Sequence, residues 1–115
     1  MNHAVHSEES AGKIQAPRRQ AERSREALAE VGIESRLHRL GDEIRELSGA
    51  PYPALLQDRA RIREAIDELD AKHTTLLWVA RVAKCTEGRI RERLWTDIDR
   101  ALGSLERVAD SLAGG

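Results

Sequence analysis

The stretch IREAIDELDAKHTTLLWVARVA, residues 62–83, decides the fold. Ile62, Ile66, Leu69, His73, Leu76, Ala80 and Ala83 recur in it at alternating steps of four and three, the repeat that keeps one stripe of a helix against a partner helix. As far as Thr75 the intervening positions are charged, Thr or Ala. From Leu76 to Ala83 the apolar arc widens, because Leu77, Trp78, Val79 and Val82 add further faces and only Arg81 interrupts. A stripe of ordinary width is covered by one neighbour, so the wider arc is expected to touch more than one.

Outward from this stretch the same period continues. Toward the C-terminus, Thr86 is expected to cap a new helix and Gly88 to end the old one. Ile90, Leu94, Ile98, Leu102, Leu105, Ala109 and Leu112 then mark another stripe. Toward the N-terminus, Ser48, Gly49, Ala50, Pro51, Tyr52 and Pro53 form the clearest break in the chain, since two prolines and a glycine do not continue a helix. Before it, Ala21, Leu28, Val31, Leu37, Leu40, Ile44 and Leu47 trace a first amphipathic helix whose weak point is Gly32. Pro17 stands where a first-turn proline is tolerated. The helices are therefore expected at about 18–48, 54–84 and 87–112, each some 40–45 Å long at 1.5 Å per residue. Residues 1–16 carry no hydrophobic period and are expected as a disordered tail ahead of a single helical domain at 17–113.

Matched lengths and short connections favour antiparallel neighbours. The fold expected is all-α: an antiparallel three-helix bundle, or a long helical hairpin that oligomerises. No segment alternates with period two, so strands are not expected.

Composition narrows the function classes. The 115 residues are 34% charged and 3% aromatic, with no Phe. The formal net charge of -1 supplies no global field toward nucleic acid or an anionic membrane. Residues of both signs alternate along the helices: Arg18 with Glu22, Arg39 with Glu43, Arg63 with Asp67 and Arg93 with Asp97 are each spaced for a local pair. Without an apolar run long enough to span a bilayer or an apolar leader, the chain reads as cytoplasmic with no membrane partner. The lone Cys85 reads as a small, half-buried residue near a helix end.

Catalytic and cofactor signatures are missing. There is no glycine-rich phosphate loop, no nucleophile elbow and no two-histidine metalloprotease motif, so an enzyme is not expected and no cofactor is assigned. Asp70 with His73, joined by Glu34 and His38 on the preceding helix, has the types and spacing of a metal pair between helices. His73 nevertheless reads first as a hydrogen-bonded core histidine within an apolar stripe, and no metal site is assigned. His3 and His6 fall in the expected tail. The terminal Gly114-Gly115 reads as a frayed helix end.

Residues 77–94, Leu77-Trp78-Val79-Ala80-Arg81-Val82-Ala83-Lys84-Cys85-Thr86-Glu87-Gly88-Arg89-Ile90-Arg91-Glu92-Arg93-Leu94, locally resemble the helix-turn-helix of the fourth region of sigma factors and related regulators. The resemblance implies that Ala80 permits close helix crossing and that Val79, Ala83, Cys85, Ile90 and Leu94 form a small core. Arg89, Arg91 and Arg93 would then face phosphate or base edges.

Two functions are expected from these features. The first is a non-enzymatic interaction protein (an adaptor, chaperone-like subunit or small inhibitor) that self-associates or binds a protein partner through Leu76, Leu77, Trp78, Val79 and Val82. Trp78 is its anchor, since interface energy concentrates in Trp, Tyr and Arg. The alternative is a small dimeric DNA-binding regulator acting through Arg89, Arg91 and Arg93.

Overall fold

Three apolar stripes, one from each helix, meet in a single core. The computed structural model describes the backbone of residues 3–50 and 56–114 and the side chains of residues 20–50 and 58–114. Its helices are α1 (His3–Gly49), α2 (Leu56–Lys84) and α3 (Gly88–Gly114), and no strand occurs among the described residues. Leu37, Leu40, Ile44 and Leu47 of α1 face Ile66, Leu69, Leu76, Ala80 and Ala83 of α2 and Trp95, Ile98, Leu102, Leu105 and Ala109 of α3. With the buried His73 standing between Leu69 and Leu76, each set keeps the alternation of three and four. A fully enclosed side chain such as Leu102 contributes about 1.5–3 kcal/mol through burial alone.

The chain divides at Gly32 into two compact units, Met1–Gly32 and Ile33–Gly115. The second is the three-helix bundle. Its direction is fixed by contacts of known register: Glu34 pairs with Lys84 and the Leu37 carbonyl meets His73, so α1 and α2 run antiparallel. The short junction at 85–87 turns α3 back along α2, so α3 runs in the direction of α1, and Arg36 ties those two helices through Asp99 and Glu106. The bundle is up-down-up, as the matched stripes and short connections predict.

The first unit is helical. Here α1 starts at His3 rather than near Arg18, and it passes through most of the stretch expected as a tail and through Gly32. At 47 residues it is longer than α2 with 29, so the expected match of all three lengths does not hold for α1. Within this unit Ala21 is exposed, and Leu28 and Val31 are 71% and 59% exposed, whereas the sequence places all three on the core stripe.

At the other end α1 stops at Gly49, where the Ala50 amide closes a turn on the Leu47 carbonyl and Ser48 Oγ donates to the Ile44 carbonyl. The expected turn at Pro51–Pro53 and the side chain of Leu56 lie outside the described residues, as do the side chains of His3, His6, Pro17 and Arg18 and all of Gly115.

Two polar arrangements set the register of the bundle. His73, 7% exposed, donates its Nε2–H to the Leu37 carbonyl at 2.8 Å, which makes it the hydrogen-bonded core histidine expected from the stripe. Gly41 lies directly over its ring: a Cβ there would stand 3.1 Å from His73 Cε1. Arg36 forms the second, with Nη2 donating to Glu106 Oε1 at 2.6 Å, Nε to Glu106 Oε2 at 3.3 Å and Nη1 to Asp99 Oδ1 at 2.5 Å. The hydrogen bonds to Glu106, and then to Asp99, raise the guanidinium pKa above its ordinary value against the opposing effect of burial. A raised arginine pKa keeps the Arg36 guanidinium charged until extreme alkalinity.

Local pairs among the described residues include Lys72 with Glu68 at 3.0 Å and Arg45 with Asp42 at 3.7 Å, both exposed. Such pairs add a few tenths of a kcal/mol, about 0.2–0.5. Among the described residues no helix is long and apolar enough to cross a membrane.

Candidate functional site

The apolar arc of α2 splits when the bundle forms. Leu76 is buried at 8% and Val79 is half-buried against the core, while Leu77, Trp78 and Val82 stay 42%, 64% and 48% exposed. The division follows from helical geometry. Trp78 lies two residues from both Leu76 and Ala80, about 160° around the helix from each, so it faces outward when they face in.

Beside Trp78 a groove of about 330 Å³ runs between α1 and α2. Leu37 and Ala80, both buried, form its floor. Glu34 and His38 supply the α1 wall, and Thr74, Leu77, Trp78, Arg81 and Lys84 the α2 wall. Lys84 Nζ reaches Glu34 Oε1 at 3.1 Å, an ion pair across the groove that joins the two walls. Thr74 turns its hydroxyl back to the Asp70 carbonyl at 3.0 Å, leaving its methyl group for contacts. The surface is thus an apolar ridge beside a shallow cleft with Arg and Lys on one margin.

The four candidate metal ligands do not converge. His73 is committed to the Leu37 carbonyl, Glu34 to Lys84, and His38 and Asp70 are exposed. Among the described residues no three His, Cys, Asp or Glu side chains are placed to hold a metal ion.

The α2–α3 junction differs in detail from the sequence reading. Thr86 was expected to cap α3, but its Oγ1 donates back to the Val82 carbonyl at 2.6 Å and its amide to the Ala83 carbonyl, so it closes the end of α2. Gly88, with φ of 70°, makes the reversal in a left-handed conformation that glycine adopts without strain. Arg91 Nη1 donates to the Lys84 carbonyl at 3.2 Å and the Thr86 carbonyl at 3.4 Å, placing its charge at the negative end of α2.

Arg89 and Arg93 are exposed. Cys85 is exposed rather than half-buried, and Ile90, 65% exposed, is outside the core. Steps of four from Ile98 to Leu94 and again to Ile90 accumulate a rotation of about 80°, which carries Ile90 off the stripe. Of the small core implied by the helix-turn-helix resemblance, Ala83 is buried, Val79 and Leu94 are partly buried, and Cys85 and Ile90 do not take part. Beyond the junction α2 and α3 pack along their length into the common core.

Of the arc read from the sequence, Leu77, Trp78 and Val82 are the members that stay exposed, while the contacts of Arg36 carry no local spacing signal because its two carboxylate partners are far along the chain. No family model, curated protein or solved structure matches the chain.

Proposed function

We propose that the protein is a non-enzymatic helical interaction protein that binds through the outward face of α2. The observation that carries this reading is Trp78, 64% exposed between Leu77 and Val82 on a bundle that has an enclosed core of its own. The core does not need these side chains, and together they form a contiguous apolar patch of the kind that marks association sites. Their mechanism is burial of Trp78 as an anchor, with Arg81 at the groove margin fixing orientation through a contact with an acidic group.

The alternative, DNA binding through Arg89, Arg91 and Arg93, draws less support. Arg91 is turned onto the end of α2, and two of the side chains needed for the motif's small core are exposed.

Trp78→Ala and Val82→Glu test the proposal, since both alter exposed positions. Helicity by circular dichroism is expected to stay near wild type while self-association or partner capture falls at least tenfold. A wild-type chain that sediments as a concentration-independent monomer, and that captures no protein the two variants fail to capture, overturns it. Duplex DNA binding at low salt, lost in Arg89→Ala and Arg93→Ala, would favour the alternative instead.

A further inference from the structure

Resting on that reading, we propose that the occupant of the α2 face is a second copy of this chain, docked antiparallel about a two-fold axis at Trp78. The outward face of α2 carries a second stripe with the seam spacing: Ala71, Thr75, Trp78, Val82 and, just past the helix end, Cys85 follow one another at steps of four, three, four and three. All five are exposed. This is the period of the core-facing stripe on the same helix, and it is the period with which one helix lies along another. None of the five is charged. The Thr75 hydroxyl is turned back to the Ala71 carbonyl at 3.1 Å, so its methyl group is left to face a neighbour.

The order of sizes identifies the occupant. Reading outward from Trp78, the stripe is β-branched on each side, Thr75 and Val82, and then small on each side, Ala71 and Cys85. Turned end for end the stripe therefore matches itself: Thr75 meets Val82, a residue of nearly the same shape, Ala71 meets Cys85, and Trp78 meets Trp78. A surface that matches itself after a half-turn is what an isologous two-fold interface requires. Small residues at both ends let the helices approach, and two indole rings near the axis can pack offset.

Charge selects the antiparallel direction. Continued toward the N-terminus at the same spacing, the stripe reaches Glu68 and Glu64. In a parallel, in-register pair both would stand opposite their own copies, placing like charges in the seam. In the antiparallel pair only the uncharged segment overlaps, and the acidic residues run past the end of the second copy's α2. The seam spans about 21 Å at 1.5 Å per residue. It lies at the small end of specific interfaces, so the dimer is expected to be reversible and of micromolar order.

The experiment combines sedimentation of the full chain over a concentration series with disulfide trapping by oxidised glutathione. Wild type is expected to move from monomer to dimer as concentration rises through tens of micromolar, and Trp78→Ala and Val82→Glu to raise the midpoint at least tenfold with helicity retained. Ala71→Cys places a thiol opposite Cys85 of the second copy, and is expected to form covalent dimer at least tenfold faster than wild type. In wild type the two Cys85 thiols would lie about 21 Å apart, far beyond disulfide reach. Wild type that couples through Cys85 as fast as Ala71→Cys would mean a parallel pair and overturn the proposal. A wild-type monomer at every concentration also overturns it. If that monomer still captures a protein in a Trp78-dependent manner, the interaction reading above stands while the dimer falls. If it captures none, both fall.

Discussion

The two tryptophans divide the molecule. Each follows a leucine on a long helix, Leu77-Trp78 on α2 and Leu94-Trp95 on α3, yet Trp95 is 4% exposed and Trp78 64%. Position against the stripe accounts for the contrast. Trp95 is three residues before Ile98 and joins its row, whereas Trp78 falls between Leu76 and Ala80 on the opposite side of the helix. Trp95 is enclosed so fully that its Nε1 finds no acceptor among the described residues. The same side chain thus organises the core on one helix and a surface on another, and its rotational phase makes the difference.

The largest expected break in this comparison comes from removing the inner ring. Trp95→Ala should cost about 3–5 kcal/mol of stability in urea unfolding, the range for deleting a buried aromatic. A loss below 1 kcal/mol would mean that Trp95 is not packed as described. Next comes the junction that brings α3 back along α2: Gly88→Ala forces a side chain into a left-handed backbone and should cost about 1–2 kcal/mol, measured by the same titration.

Arg36→Gln removes the charge that links α1 to Asp99 and Glu106. All three groups keep some access to water, so a loss of only about 1 kcal/mol is expected, reduced further in high salt. The smallest effect belongs to the outer ring. Trp78→Ala, measured at concentrations where the chain is monomeric, should leave stability within about 0.5 kcal/mol of wild type. A loss as large as that of Trp95→Ala would erase the distinction between the two residues.

Much of the fold was legible because the alternation of three and four is a local property. Leu37 to Leu47, Ile66 to Ala83 and Ile98 to Ala109 all lie where their spacing puts them, and His73 is the core histidine its stripe suggested. The misreadings have separate causes. Ile90 joins its stripe only if apolar residues are counted without carrying the rotation forward, because repeated steps of four carry it away from Ile98. Thr86 was misread because one hydroxyl can serve either the helix behind it or the helix ahead, and sequence does not rank the two.

The candidate surface was legible as an excess. Leu77, Trp78 and Val82 give the arc more apolar width than one neighbour covers, although sequence alone grouped them with Leu76 and Val79, which turn inward.

By itself the sequence determined that this protein is helical, where its bundle helices break, and which stripe of each faces inward, since these follow from the angle between successive residues. Only the tertiary structure decided which surplus apolar residues remain outside. Exposure depends on which flanks of α2 are occupied by α1 and α3, and that is a property of three helices together. For the same reason Arg36 found its partners and Gly41 its place over His73 only in the assembled bundle: those contacts join residues far apart in the chain, and no local period encodes them.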